Sequence, residues 1–278
     1  MKKLSRSQLA AMNIQYRYYP LTVFFDDAEK YGFRNVELWG AAPHIYPEDM
    51  TYHDIMAVRH EAEKRKLKII CYTPEQCVYP VNLAAPSAAE RRRSLKFFED
   101  SVRTASELGA DRMLVTSGTG YYDGSDRAEA WKYAAENLSA LCRMAGDYQI
   151  RLALEVLRKD ESNLVNDLPS LTAMLSEIQS ETAGGMIDTI PMALAGETPE
   201  MYIKALGKRL IHIHFIDGAP RGHLAWGDGI LDLEKYVSEL EAGEYQGNLT
   251  LEITDGRYFM EPWKSLEQSM RVLSAAID

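Results

Sequence analysis

Cysteine is scarce in this sequence. The 278 residues contain three cysteines, Cys71, Cys77 and Cys142, and no two of them form a Cys-x-x-Cys pair. An odd number without that spacing argues against a disulfide framework and against a thiolate zinc site. We therefore expect reduced cysteines that pack in the interior and do not act as nucleophiles.

Excess positive charge and long apolar runs are also missing. Lysine and arginine total 31 against 41 aspartates and glutamates, so the formal net charge is −10. With no Lys/Arg tract to offset this charge, the sequence argues against nucleic-acid binding. No apolar run approaches the roughly 18 residues that span a bilayer, which argues against membrane insertion. Polar residues interrupt the opening stretch MKKLSRSQLAAMN, so we expect no signal peptide and a cytoplasmic protein.

The chain instead alternates short apolar segments with longer amphipathic ones. Hydrophobic residues make up 46% of the sequence and charged residues 26%, which is typical of a globular protein. The strand candidates are 12–16, 35–39, 67–72, 112–116, 150–155, 185–188, 210–215 and 249–253, and the helical patterns are 20–31, 52–66, 88–108, 127–148, 168–179, 199–206, 233–242 and 262–276. Eight such units predict an α/β fold, a single (β/α)₈ barrel domain over residues 1–278. The phosphate motifs GxGxxG and GxxxxGK[ST] are absent, so dinucleotide-binding and P-loop folds lose their support.

Four polar residues stand at the ends of successive strand candidates: Glu155, Asp188, His214 and Glu252. Each alone could be an ion-pair partner or a hydrogen-bonded core residue. In a parallel barrel, however, these positions meet at the rim where substrates bind. Three carboxylates held together repel one another unless a cation or protonation compensates. Oxygen donors with one imidazole suit Mn²⁺ or Co²⁺, and Mg²⁺ is also compatible, so we expect a divalent metal there.

Several local strings resemble one known family. They are VELWGAAPH at 36–44, YTPEQCVYPVN at 72–82, ENLSALC at 136–142, LEVLRKDESN at 154–163 and HIHFIDG at 212–218. In this order and spacing they make the chain similar, over nearly its whole length, to the xylose-isomerase-like sugar epimerases and isomerases. Within that family the 3-epimerases of fructoselysine are the nearest, followed by those of tagatose and psicose.

The resemblance implies roles for individual residues. It implies that Glu155, Asp188, His214 and Glu252 hold the metal, and that the two glutamates also exchange protons with the substrate carbon, so that both are catalytic. It further implies that Glu161 contacts the oxygens at the carbonyl end of the substrate.

Two positions depart from the tagatose-type pattern. Pro191 stands where those enzymes carry a substrate-binding histidine, three residues after the metal-binding aspartate. Arg221 lies near, but out of register with, an expected substrate arginine, and His223 in RGHLAWGDG resembles a His-x-x-x-Gly-x-Gly pattern elsewhere in the superfamily. We include Arg221 and His223 among the expected substrate contacts. The departures favour a modified ketose over a free ketohexose.

The loops after the first three strands supply further candidates. We expect Glu37, His44 and Tyr72 to contact substrate, although Glu37 could equally be a structural ion-pair partner. Trp39 could line the site or an interface. An aromatic wall here would suit the C–H faces of a sugar, and we expect the substituent of a modified ketose to lie along these loops.

These features together predict a divalent-metal-dependent carbohydrate 3-epimerase. The substrate would be a ketose or a ketosamine such as fructoselysine or psicoselysine, and two glutamates would transfer protons through an ene-diolate. An aldose–ketose isomerase or an inosose-type dehydratase is the alternative enzyme, since the same metal and bases serve all three reactions. A non-catalytic sugar-binding protein is the alternative outside catalysis. The family resemblance also implies a homo-oligomer.

Overall fold

Eight parallel strands form a closed barrel in the computed structural model, which describes residues 3–76 and 81–277. The strands are β1 Leu9–Met12, β2 Asn35–Gly40, β3 Lys68–Pro74, β4 Arg112–Val115, β5 Arg151–Leu154, β6 Ala183–Asp188, β7 Leu210–His214 and β8 Leu249–Leu251. Each strand pairs with the next, and β1 pairs with β8 to complete the barrel. The predicted α/β barrel is confirmed.

Helices surround the strands, and capping residues mark where several of them begin or end. Within the described ranges they are α1 Leu21–Lys30, α2 Tyr52–Lys64, α3 Ala88–Leu108, α4 Arg127–Asp147, α5 Leu168–Ile178, α6 Thr189–Leu194, α7 Pro199–Leu206, α8 Leu233–Ala242 and α9 Trp263–Ala276. Thr51 and Asp54 form a capping box at the start of α2. Gly109 ends α3 with a φ of 79°, a left-handed conformation that glycine adopts without a Cβ clash.

The hydrophobic core of the described residues has one large part and three small ones. The large part lies between the strands and the helices, where Phe97, Phe98 and Val102 of α3 are buried. The barrel interior is filled separately by Leu114, Ala153, Met186 and Ile211, one from each of β4 to β7. Because these apolar side chains fill the interior, we expect a ligand to bind at the rim.

The first strand corrects a sequence prediction. The strand was expected at 12–16, but it is β1, Leu9–Met12, and residues Ile14–Tyr16 form a 3₁₀ turn. The run Leu-Ala-Ala-Met contains no β-branched residue, so its composition does not indicate a strand. The strand must end at Met12 because Asn13 turns into the αR region. Its Oδ1 accepts a hydrogen bond of 2.6 Å from Trp39 N.

The cysteines pack as expected where the structure describes them. Cys71 and Cys142 are free and buried, and burial raises the pKa of each thiol. Cys77 lies outside the described residues. Across the described part of the chain, no helix combines the length and apolarity that crossing a membrane requires.

Candidate metal centre and active site

The four residues predicted at the strand ends converge at the rim. Asp188 and His214 are the last residues of β6 and β7, while Glu155 and Glu252 follow β5 and β8 directly. One donor atom from each of the four lies within 4.8 Å of the others. Neighbouring parallel strands end at one rim, so consecutive strands deliver these side chains to a single point.

The arrangement fits a divalent cation. His214 Nδ1 lies 3.3 Å from Glu155 Oε1 and 3.0 Å from Glu252 Oε2. This buried nitrogen is nevertheless aligned for a hydrogen bond with neither carboxylate. Asp188 Oδ1 accepts the N–H of Ile190 at 2.7 Å, which leaves Oδ2 facing the same space. Three carboxylates and an unpartnered imidazole nitrogen form a donor set that suits Mn²⁺, Co²⁺ or Mg²⁺.

The two glutamates have opposite electrostatic environments. Burial raises the pKa of Glu155, and the neighbouring His214 offsets only part of that effect. Burial also raises the pKa of Glu252, but the positive charges of His214 and His223 outweigh it, so this pKa is lowered. In the absence of a cation the pair therefore consists of one carboxyl that tends to hold a proton and one that tends to be ionised, whereas both would be ionised as ligands of a divalent metal.

Glu37 lies behind His214 and does not reach the cavity. Its carboxylate is fully buried and accepts hydrogen bonds from His214 Nε2 at 3.1 Å, from His212 Nε2 at 2.7 Å and from Thr73 Oγ1. The structure places the Glu37 side chain in the barrel interior and outside the cavity lining, and its expected contact with substrate stays a prediction. Its role as a structural partner of charged groups, the other reading of the sequence, matches this position. A carboxylate on the far side of a metal-binding imidazole fixes its tautomer and orientation.

A second group of donors therefore shares His214 with the first. Glu37, His212 and His214 also place one donor atom each within 4.8 Å of one another. Here the donors already hydrogen-bond to each other through the Nε2 atoms, and all three side chains are completely buried. This group is occupied by its own hydrogen bonds and fits a cation less well than the rim group does.

His223 joins the site from the loop after β7. Its Nε2 lies 3.2 Å from Asp188 Oδ2 and its Nδ1 lies 3.1 Å from Glu252 Oε2, so it touches two of the four convergent residues. The carbonyl of His223 accepts the N–H of Thr254 at 3.2 Å and that of Asp255 at 3.3 Å. These bonds attach the loop to the chain after β8 and fix the imidazole at the rim.

Asp217 organises the loop that carries His223. This buried carboxylate accepts four backbone hydrogen bonds of 2.8 to 3.0 Å, from Gly218, Gly227, Gly229 and Leu231. A Cβ at Gly229 would lie 2.2 Å from Asp217 Oδ1, so only glycine permits this approach. One carboxylate thus shapes most of the loop.

Three of the four convergent residues, Glu155, Asp188 and Glu252, line a cavity of about 250 Å³. It is lined by Ile14, Trp39, Thr73, Pro74, Glu75, Gln76, Leu114, Glu155, Leu157, Arg158, Glu161, Asp188, His223, Glu252 and Thr254. Glu161 is in its wall, where Oε1 accepts a hydrogen bond of 2.5 Å from Arg158 Nη2. Trp39 is also in the wall and donates from Nε1 to Glu75 Oε2 at 3.0 Å. The predicted positions of Glu161 and His223 at the rim agree with this cavity.

Two predicted contacts lie away from the cavity. Tyr72 is completely buried and its hydroxyl donates to the carbonyl of Ile45 at 3.4 Å. His44 Nε2 donates to the carbonyl of Tyr19 at 2.8 Å, and its Nδ1 lies 2.9 Å from Asn13 Nδ2. Both side chains hydrogen-bond within the protein in this structure, and the expected substrate contacts of Tyr72 and His44 stay predictions.

Arg221 lies beside the cavity and not in its wall. Its Nη1 pairs with Asp160 Oδ2 at 2.8 Å. Sequence reasoning missed Arg158 and His212, which the structure places against Glu161 and Glu37 respectively. The His-x-His spacing of IHIH was the available signal for His212, because alternate residues of a strand point to the same face.

Comparison with known proteins identifies the family. The sequence profile described as "Xylose isomerase-like TIM barrel" matches residues 25–276. The chain belongs to this family. It is 29% identical over 260 residues to a fructoselysine 3-epimerase of Shigella flexneri, a match that covers 93% of this chain and 94% of the relative. It is 24% identical over 238 residues to a D-psicose 3-epimerase of Enterocloster bolteae, covering 82% and 75%.

Solved structures agree with this xylose isomerase-like fold. A D-psicose 3-epimerase crystallised in the presence of D-fructose superposes with a TM-score of 0.82 at 17% identity, covering 96% of this chain and 97% of that one. An L-ribulose 3-epimerase gives a TM-score of 0.82 at 16% identity, covering 97% and 94%. At these identities the likeness establishes the fold alone. The order of resemblance predicted from the sequence, fructoselysine 3-epimerase before the ketose enzymes, is confirmed by the sequence relatives.

Proposed function

We propose that this protein is a divalent-metal-dependent carbohydrate 3-epimerase that acts on a ketose or a ketosamine of the fructoselysine type. The observation that carries the proposal is the convergence of donor atoms from Glu155, Asp188, His214 and Glu252 on one point, where Glu155, Asp188 and Glu252 line the cavity. The curated relatives named as sugar 3-epimerases support the reaction class. The intact set of three carboxylates argues against a non-catalytic sugar-binding barrel, since binding alone does not require them to be held together.

The same four residues would hold the metal. A bound divalent cation, Mn²⁺ or Co²⁺ in preference to Mg²⁺, supplies Lewis-acid polarisation of the substrate oxygens. His214 presents Nδ1 to that point because its Nε2 proton is committed to Glu37. Asp188 is held by the N–H of Ile190, at the start of α6.

Proton transfer is assigned to the two glutamates. One of Glu155 and Glu252 removes the proton from C3 of the substrate, an ene-diolate forms, and the other returns a proton to the opposite face. Reversal of the reaction exchanges these roles, so each glutamate serves as acid in one direction and base in the other. Glu161 and Arg158 bind sugar oxygens, while Trp39 and Leu157 supply apolar wall against C–H groups and exclude water.

Incubation with substrate in D₂O tests the reaction. We expect NMR to show deuterium at C3 of the epimerised product, because both glutamates exchange protons with solvent. Label found only at C1 would contradict 3-epimerisation and indicate the aldose–ketose isomerase. Loss of water from the sugar would indicate the dehydratase. No turnover of any ketose or ketosamine by the metal-loaded protein would reject the proposal.

Substrate preference is part of the same proposal. The 29% identity to fructoselysine 3-epimerase and the presence of Pro191 in place of a histidine support a modified ketose. We expect a higher kcat/KM for fructoselysine than for free fructose, tagatose or psicose. A cytoplasmic location, a homo-oligomer and a single domain over 1–278 stay predictions from the sequence.

A further inference from the structure

A second cavity adjoins the first on the side of the loops after β4 to β7. Its volume is about 520 Å³, and Arg158 lines both cavities. The lining consists of Tyr122, Arg158, Lys159, Asp160, Asn166, Pro191, Leu194, Ala195 and Arg221. A ligand seated at Glu161 could therefore extend past Arg158 into this space.

The polar part of this second cavity is mainly cationic. Arg158, Lys159 and Arg221 face a single carboxylate, that of Asp160. Asp160 pairs with Arg221 at 2.8 Å and lies 3.6 Å from Arg158 Nε, while Arg158 also pairs with Glu161 at 2.5 Å, so the lysine adds a cation beyond these pairs. Lys159 forms no ion pair with any residue that the structure describes. The cavity thus has positive charge to offer an anionic ligand.

The apolar part of the same cavity is exposed. Tyr122 is 59% exposed and Leu194 is 42% exposed, whereas large hydrophobic side chains elsewhere in the described chain are mostly buried. Pro191 adds a side chain without a hydrogen-bond donor. Apolar walls beside the Lys159 ammonium group and the solvent-exposed Arg221 guanidinium match a ligand segment made of methylene groups that ends in a carboxylate.

We propose that the second cavity binds the carboxylate-bearing arm of an N-substituted ketosamine, with Lys159 and Arg221 as the residues that recognise the carboxylate. This assignment rests on the proposed 3-epimerase function and adds the binding site for the substituent of its substrate. It moves the arm from the loops after the first three strands, where the sequence placed it, to the loops after β4 to β7. The reacting carbon stays at Glu155 and Glu252, and the arm leaves the first cavity past Arg158.

Two matched substrates test the assignment. Fructoselysine carries the carboxylate. The matching compound, 1-deoxyfructose linked through C1 to one nitrogen of 1,5-diaminopentane, has the same methylene arm without the carboxylate. The measured quantity is the ratio of kcat/KM for the first substrate to kcat/KM for the second. We expect Lys159→Gln to lower this ratio about threefold and the double variant with Arg221→Gln to lower it about tenfold, as for partly exposed charge pairs. The wild-type ratio should also fall with added KCl.

Lys208→Gln is the matched control. Lys208 is an exposed cation that precedes β7, so it lies at the opposite end of the barrel from the rim. Its substitution should leave the ratio at the wild-type value. All three positions are at least partly solvent-exposed, and circular dichroism will verify that the variants keep the wild-type fold.

The possible outcomes distinguish failure of the proposed arm site from failure of the proposed 3-epimerase function. Turnover of both ketosamines with an unchanged ratio in the Lys159 and Arg221 variants would overturn the arm site and leave the 3-epimerase intact. Turnover of a 6-phosphorylated ketose in preference to fructoselysine would overturn the carboxylate assignment. Absence of turnover with every ketose and ketosamine would instead reject the proposed function itself.

Discussion

Replacing Glu37 by glutamine changes the charge behind His214 while keeping the size of the side chain. In the native protein the carboxylate accepts hydrogen bonds from Thr73, His212 and His214. One carboxylate oxygen of Glu37 accepts from His212, and the other accepts from both Thr73 and His214. A glutamine amide has one acceptor oxygen and one N–H₂ donor group, so the N–H₂ must replace one of these two oxygens. The variant therefore cannot satisfy all three donors, and it removes the negative charge that favours His214 as a metal ligand.

The magnitude follows from the contacts that change. Substitution of such orienting partners typically reduces metal affinity about 10- to 100-fold, which corresponds to roughly 1.4–2.8 kcal/mol of binding free energy. Glu37 is fully buried, and solvent therefore cannot replace the lost acceptor. We expect Glu37→Gln to fall within this range and to reduce the metal-induced rise in Tm accordingly.

Isothermal titration with Mn²⁺ measures the effect directly on the metal-free protein. Thr73→Val is the matched control, because it removes one hydrogen bond to Glu37 and keeps both imidazole contacts. It should weaken Mn²⁺ binding less than Glu37→Gln does. A folded Glu37→Gln variant with the Mn²⁺ affinity of the wild type would refute the assignment of Glu37 as the residue that orients His214.

Three further predictions follow from the site. Chelation should abolish turnover and Mn²⁺ or Co²⁺ should restore it, with Tm rising as metal is added; full activity of a metal-free preparation would contradict this. Glu252→Gln should reduce C3 proton exchange about 10²- to 10⁴-fold by NMR, with a smaller loss of metal affinity by titration. Asp217→Asn leaves part of its four backbone donors without an acceptor, so denaturant unfolding should show about 2–3 kcal/mol lower stability. An unchanged unfolding midpoint would show that Asp217 does not hold the loop.

The barrel and the four convergent residues were predictable because they depend on simple repetition. Strands alternating with helices at this spacing predict parallel pairing, and parallel pairing brings the ends of successive strands together. Glu155, Asp188, His214 and Glu252 needed no knowledge of loop conformation, since each ends a strand or directly follows one. The metal they would hold follows from their chemistry and stays a prediction.

The candidate residues that lie outside the cavity lining show what the sequence alone does not determine. Alternate residues of β2 share a face, so Glu37 and Trp39 both point inward, but Trp39 reaches the cavity and Glu37 remains below it. The alternation of residues in a strand shows which face a side chain lies on, but it does not show how far below the rim that side chain lies. Tyr72 and Thr73 differ by one position in β3, which places Tyr72 in the outer core and Thr73 in the cavity wall.

Loop residues were the hardest to predict. His44 was expected at the rim, and its two ring nitrogens are instead used by Asn13 and Tyr19. Arg158 was not singled out, although it stands between the two cavities. Loop side chains are positioned by contacts between segments distant in sequence, and periodicity carries no information about those contacts.

Anomalous diffraction from crystals grown with Mn²⁺ tests the central claim most directly, because it locates the cation without any assumption about substrate. The two groups of donors in this barrel share His214 and differ in which of its nitrogens faces the ion. We expect one peak bounded by Glu155, Asp188, His214 Nδ1 and Glu252. A peak between Glu37, His212 and His214 Nε2, or no peak at the rim in crystals of active protein, would contradict it.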